Sequence, residues 1–265
     1  MVTSHSMNSA AVALSLENVT KVFRRSHLGR VRETVGVKDL SLRVMEGEVY
    51  GLLGLNGAGK TTVMKLLLGL LSPSAGRAEI LGRSPEDPEA RRAVGYLPEV
   101  PYFYRHLTAR EVLVFYGRLS GLPRESLGAR IEAVLKEVRL AENAHRPMRE
   151  YSKGMLQRAC LAQALIHDPK ILFFDEPVTG LDPLGMKEMR DMMAGLHDRG
   201  KTIIFSSHNI SEVERLCGRV GILVRGRMAR EVDRSEWEND PGRLESIFVE
   251  TVAQDPNSGL RPVMP

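Results

Sequence analysis

At 265 residues, 43% apolar and 26% charged, the chain has ordinary globular composition and is long enough to bury the core of one sizeable domain. Its two cysteines, Cys160 and Cys217, stand far apart in helix-like stretches, which excludes a disulfide framework and a paired-cysteine metal site and reads as free buried thiols in a reducing compartment. No apolar run is long enough to span a membrane and the first residues lack a signal-peptide pattern, so a cytosolic location is expected; the net charge of +4 suits a polyphosphate, an anionic membrane surface or nucleic acid equally.

Apolar alternation predicts a strand over Leu14–Val19, and the run from Glu48 to Gly54 predicts a second, buried one. Helical periodicity follows Lys60, breaks at "SPSAG" and returns to a strand through "RAEILG". From Leu107 to Ile166 the pattern is almost wholly helical, which marks about 100–168 as a helical subdomain inserted into an α/β core. The core resumes with the strand "KILFFDE", a helix from Pro183, the strand "KTIIFSS", the helix "ISEVERLC" and the strand "RVGILV". Strands alternating with helices imply a mostly parallel sheet covered on both faces. The divisions expected are a flexible 1–13, a nucleotide-binding domain over 14–230, and an extension over 231–265 with a frayed tail.

Gly54 to Thr61 fit G-x-x-x-x-G-K-[ST] at every fixed position, between a buried strand and a helix. In such a loop the backbone N–H groups of Asn56, Gly57, Ala58 and Gly59 face inward as an anion nest, with Thr62 beside them. Lys60 brings a point charge to the outer phosphates, and the Thr61 hydroxyl is a ligand for Mg²⁺. "ILFFDEP" places Asp175 and Glu176 at the carboxyl end of a core strand, where α/β ligands collect. Asp175 is expected to hold Mg²⁺ through its shell and Glu176 to polarise a water that attacks the terminal phosphoryl group. A second anion seat is written at "YSKGM", where Ser152 caps a helix whose first turn has no acid and Gly154 lies beside it.

These motifs, in this order, resemble the nucleotide-binding subunit of an ATP-binding cassette (ABC) transporter, and the likeness covers about Leu14 to Val224. The resemblance implies a P-loop NTPase fold with N-terminal antiparallel strands and an inserted helical subdomain. By resemblance, Phe23 stacks on adenine, Glu99 in "GYLPE" senses Mg²⁺ and links to a membrane partner, Asp182 in "GLDP" lines a dimer interface and its ATP, and His208 in "SSH" contacts the γ-phosphate. In this family two subunits, identical or paralogous, pack head to tail, so ATP on the Lys60 loop of one is covered by Ser152 and Gly154 of the other. Two departures stand out: Glu99 replaces the usual Gln, and "YSKGM" replaces "LSGGQ", as in the branch that drives ABC-2-type exporters.

The function implied is ATP hydrolysis, powering transport, and in this branch export, through a separate membrane permease that holds the subunit at the inner face of the membrane. The competing reading is a soluble ABC ATPase acting on nucleic acid or ribosomes; such proteins carry paired cassettes, a long coiled coil or zinc cysteines, none of which is seen here, and no nucleic-acid partner is expected. A P-loop kinase or GTPase leaves "YSKGM" unexplained and lacks a guanine-reading N-K-x-D. Two stretches keep two readings each. Tyr102, Phe103 and Tyr104 either receive a helix of the permease or seal the subdomain core, and the basic run Arg24, Arg25, Arg30 and Arg32 either touches lipid headgroups or forms a solvated hairpin.

Overall fold

The computed structural model of the chain describes residues 11–27 and 30–255. Residues 1–10, 28–29 and 256–265 lie outside them, and with them most of the expected start 1–13 and tail; the start nonetheless reaches too far, since β1 begins at Val12 and Ala13 is fully buried against the sheet. β1 (Val12–His27) and β2 (Arg30–Met45) form a long antiparallel hairpin, and β4 (Ala75–Ile80) pairs with β1 on its other side. The basic run is therefore hairpin, with Arg24 paired in part to Glu33; the side chains of Arg25 and Arg30 fall outside the described residues.

The second sheet has six strands in the order β5-β6-β7-β3-β8-β9. β5 (Val94–Leu97), β6 (Ile171–Asp175), β7 (Thr202–Ser207), β3 (Val49–Leu53) and β8 (Arg219–Val224) run parallel, and β9 (Arg227–Asp233) closes the edge antiparallel to β8. Every residue of β3, β6 and β7 is buried, as expected for central strands covered on both faces. Period-two alternation divides them between two cores. Tyr50, Leu52, Phe173 and Ile204 face the three-stranded sheet and α1 (Lys60–Leu67); Leu53, Leu172, Phe174, Ile203 and Phe205 face the remaining long helices.

Those helices are α3 (Ala109–Leu119), α4 (Arg124–Glu137), α5 (Lys153–Leu165), α6 (Pro183–Asp198), α7 (Ile210–Leu216) and α8 (Arg243–Ala253); α2 (Pro88–Arg92) is a single short turn before β5. A capping box between Thr108 and Glu111 starts α3. The expected helical block is real over α3 to α5 but interrupted: Ala141–Asn143 and Met148–Glu150 are single 3-10 turns between α4 and α5. Its apolar residues Leu113, Ile131, Leu135 and Leu161 share one cluster with Leu97 and Phe174 of the sheet, so the block has no separate core.

The chain after residue 230 also differs from expectation. β9 runs through that point, and Trp237, Leu244, Ile247 and Val252 belong to the same core cluster as the sheet. β9, "RMAREVD", mixes charged with apolar residues without a continuous apolar run, as an edge strand can, and that weakens its apolar signal in the sequence.

Candidate functional site

Three neighbouring parallel strands, β6, β7 and β3, deliver their carboxyl ends to one place. From β3 comes the loop Gly54–Gly59, closed by a bond from Ala58 N to Leu55 O and entering α1 at Lys60. Its glycines are structural requirements. Gly57 has φ +80 and Gly59 φ +108, and a Cβ on Gly59 would lie 2.9 Å from the carbonyl oxygen of Gly36. The N-terminus of α1 has no side-chain cap and no acid in its first turn, which leaves its N–H groups to an anion.

Lys60 is 7% exposed; its Nζ donates to Gly54 O at 2.7 Å and pairs with Glu176 Oε1 at 3.2 Å. Glu176, at the end of β6, collects three further contacts. Its Oε2 faces His208 Nδ1 at 2.8 Å and accepts from Thr179 Oγ1 at 3.1 Å, while its backbone N–H donates to Ser206 Oγ at 3.0 Å. That backbone has φ +51, a left-handed conformation that a side chain adopts only when its surroundings impose it. Ser206 Oγ also donates to Asp175 Oδ1 at 2.6 Å, so one hydroxyl holds both acidic residues. Tyr96 lies beneath them: burial, then the Asp175 charge, push its phenol up to about 12.

The cavity above these groups, of about 570 Å³, is lined by Phe23, the loop from Leu55 to Thr62, Glu99, Glu176, Thr179 and His208. Phe23 stands in its wall on β1 rather than in the core, in a place that only a glycine at 36 allows: a Cβ there would meet the ring at 2.5 Å. For a magnesium ion the donors fit. Thr61 Oγ1 and Asp175 Oδ1 lie 3.4 Å apart, both hard oxygens, and Mg²⁺ takes one or two such ligands and keeps its waters. Glu99 is exposed on the same wall, and among the described residues no three His, Cys, Asp or Glu side chains cluster into a fuller cation cage.

Ser152, Gly154 and Asp182 are elsewhere. Ser152 caps α5 by accepting from Met155 N at 3.2 Å, and Asp182 caps α6 by accepting from Gly185 N at 2.7 Å. The three line a second open cavity of about 460 Å³ with Lys153, Gly180 and Leu184, and none of its residues lines the Lys60 cavity. The chain thus brings together Phe23, the loop, Glu99, Glu176 and His208, and keeps Ser152, Gly154 and Asp182 apart.

Sequence reasoning passed over Ser206, Thr179 and the Thr34–Gly36 wall. Ser206 had a signal, a polar residue at the end of an apolar strand in "IIFSSH"; the other two become neighbours of the site only through tertiary contact. The aromatic loop after Glu99 splits: Tyr102 and Tyr104 are 88% and 75% exposed, whereas Phe103 packs on the core.

The ABC transporter family model matches residues 37–179. An ABC transporter ATP-binding protein of Synechocystis is 44% identical over 79% of this chain and 60% of its own length. The bacitracin transport ATP-binding protein BcrA of Bacillus licheniformis is 42% identical over 74% of this chain and 64% of its own. The chain therefore spans about 60% of the length of the Synechocystis relative. Among solved structures, an ATP-binding cassette captured as a dimer in a post-hydrolysis state with ADP and phosphate superposes at TM-score 0.75, with 25% identity over 83% of this chain and 98% of that one. With a family model over more than half of its length, relatives above 40% identity and the α/β P-loop NTPase fold in common, the chain belongs to the ABC transporter ATP-binding family.

Proposed function

We propose that the chain is an ATP-hydrolysing subunit that dimerises head to tail around ATP and powers transport, in the export direction, through a separate membrane permease. The observation that carries this reading is the separation of the two anion seats. The Lys60 cavity holds the catalytic groups but lacks a cover, the Ser152 cavity is a cover without catalytic groups, and they share no residue. Each seat is complete only against a second copy, identical or paralogous. A dimeric ADP- and phosphate-bound relative supports that arrangement.

In the mechanism proposed, Phe23 receives the adenine and the loop N–H groups and Lys60 receive the phosphates. Glu176 accepts the proton of the attacking water; a buried carboxylate already facing His208 and Lys60 is held at one angle, so little reorganisation precedes the transfer. His208, half-exposed in the cavity lining and 2.8 Å from Glu176, is assigned to an outer phosphate. Bound at Thr61 and Asp175, with Glu99 toward its shell, Mg²⁺ would neutralise charge on the outer phosphates. Ser152, Gly154 and Asp182 of the other subunit close the site, and loss of the γ-phosphate releases them.

No helix among the described residues is long and apolar enough to cross a membrane, and in this reading the transport path is formed by the separate permease. The exposed rings of Tyr102 and Tyr104, three and five residues after Glu99 in the chain, offer such a partner an aromatic contact. The "bacitracin transport" role printed for the relative BcrA supports transport as the function, and the "YSKGM" variant favours export.

The test is a cross-link. Cysteine at positions 56 and 152 of a Glu176→Gln chain, oxidised mildly with ATP and Mg²⁺, is expected to give a covalent dimer, because the two Cα atoms must come within about 4.4–6.8 Å across the interface. Intrachain product only, or no ATP-dependent dimer from protein shown to bind ATP, refutes the shared site.

A further inference from the structure

We propose that Gln157 is a positioning residue that ties the capping helix α5 to Glu176 of its own chain, so that hydrolysis at one ATP responds to capping at the other. The inference rests on the dimer reading of Ser152 given above.

The turn after β6 has little stability of its own. Glu176 has φ +51, Pro177 follows, and hydrogen bonds from three sources hold the backbone around them. Glu176 N donates to Ser206 Oγ, Thr179 N donates to Glu176 O at 3.1 Å, and Gln157 Nε2 donates to Pro177 O at 3.2 Å. The first comes from the neighbouring strand and the second from the turn itself. Among the described residues, only Gln157 reaches this turn from α5 by a hydrogen bond.

Gln157 is an expensive choice for that place. It is 2% exposed and its Oε1 has no partner, so half of a buried amide goes unused. The buried positions after it on α5, Ala159, Cys160, Leu161 and Ala162, are apolar, and packing alone would be served by Met or Leu. What the amide adds is a donor aimed at the residue after Glu176.

A second contact runs between the same two segments. A Cβ on Gly180 would sit 2.0 Å from Lys153 Nζ, so the ammonium end of Lys153 lies directly against Gly180. α5 thus touches the segment from Glu176 to Asp182 at both ends, and Gln157 lies five residues from Ser152, about 7.5 Å along the axis. A helix is stiff over that length. Motion of Ser152 onto the partner's ATP is delivered through Gln157 to the backbone that aims Glu176.

Gln157→Met in the full chain separates positioning from packing. Met fills the same volume and removes the unpartnered oxygen, so the melting temperature is expected within about 2–4 °C of the parent. Turnover should fall on the order of 10- to 10²-fold with ATP binding retained, and the Hill coefficient for ATP should drop toward about 1. Gln157→Glu adds a pH readout: a protonated carboxyl can still donate to Pro177 O and an ionised one cannot, so its turnover relative to the parent should fall as pH rises. A Met variant that melts far lower would assign Gln157 to core packing and overturn the inference, as would parental turnover and cooperativity in both variants. The 56–152 cross-link, repeated with Gln157→Met, keeps the two ideas apart. Cross-linking intact with turnover unchanged sinks this inference alone, whereas no cross-link in the parent sinks the dimer reading and this one with it.

Discussion

Ser206→Ala tests the geometry of the catalytic turn at its most buried point. Ser206 is 0% exposed, and its hydroxyl donates to Asp175 Oδ1 at 2.6 Å while accepting from Glu176 N at 3.0 Å. Alanine takes away both. A buried N–H left without a partner costs about 1–3 kcal/mol, and a hydrogen bond to a carboxylate is worth about 1.5–3 kcal/mol. The two share one atom and do not add in full, so a net loss of about 2–4 kcal/mol is expected. Turnover should suffer separately, because the left-handed backbone at Glu176 loses the bond that imposes it, and a misplaced base costs on the order of 10²-fold. Urea unfolding of the nucleotide-free chain measures the first effect and steady-state ATPase the second. Ser206→Thr keeps the hydroxyl and should recover most of both. A Ser206→Ala chain within about 0.5 kcal/mol of the parent, with unchanged turnover, would show that neither acidic residue depends on this bond.

Glu176→Gln should lose 10²- to 10⁴-fold or about that in turnover while still binding ATP, since an amide keeps the shape and cannot accept the proton; near-normal steady-state ATPase would remove Glu176 from the role. Glu99→Gln should need more Mg²⁺ for half-maximal activity yet reach a similar maximum, because an exposed carboxylate on the cavity wall is a harder ligand than an amide. An unchanged Mg²⁺ titration would place the carboxylate away from the metal. Cys160 and Cys217 should stay unlabelled by a thiol reagent at pH 8 and react only on unfolding: burial pushes the first up to about 12 and the second well above its ordinary value. The sign for stability follows. Both are held protonated in the native state, so their contribution is complete below the ordinary value of 9.0 and is lost as pH rises from there toward about 12. Alkaline unfolding unaffected by Cys160→Ala would contradict it.

What the sequence made legible was whatever is written in consecutive residues. The Lys60 loop, the Asp175–Glu176 pair and the Ser152 cap each sit within a few residues of the element that positions them, and all three stand where the motifs put them. Strands over Val49–Leu53, Ile171–Asp175, Thr202–Ser207 and Arg219–Val224 were equally plain, because central strands are continuously apolar. β9 and α8 were not: one is a charged edge strand, and the other lies after a break of Asn, Asp, Pro and Gly that resembles the start of a tail. β5 was hidden by its length, four residues that run from Val94 into the "GYLPE" motif.

The same distinction explains why the supports of the site were missed while the residues proposed for its chemistry were named. Ser206 lies 31 residues from Asp175, Gln157 lies 20 from Pro177, and Gly36 meets Phe23 only because β2 folds back on β1. None of these has a motif, since each exists to answer a group that another part of the chain brings. Pairing β6 with β7 sets Asp175 opposite Ser206, and that register turns an otherwise unremarked serine into the clamp on both acidic residues. A slip of one residue would turn Ser206 to the opposite face of the sheet and leave Asp175 and the Glu176 N–H without it. The buried residues of β6 and β7 on both sides of the sheet, Leu172 and Phe174 against one core and Phe173 and Ile204 against the other, forbid that slip. The placement of Glu176 is therefore a property of the two hydrophobic cores as much as of the side chains that surround it.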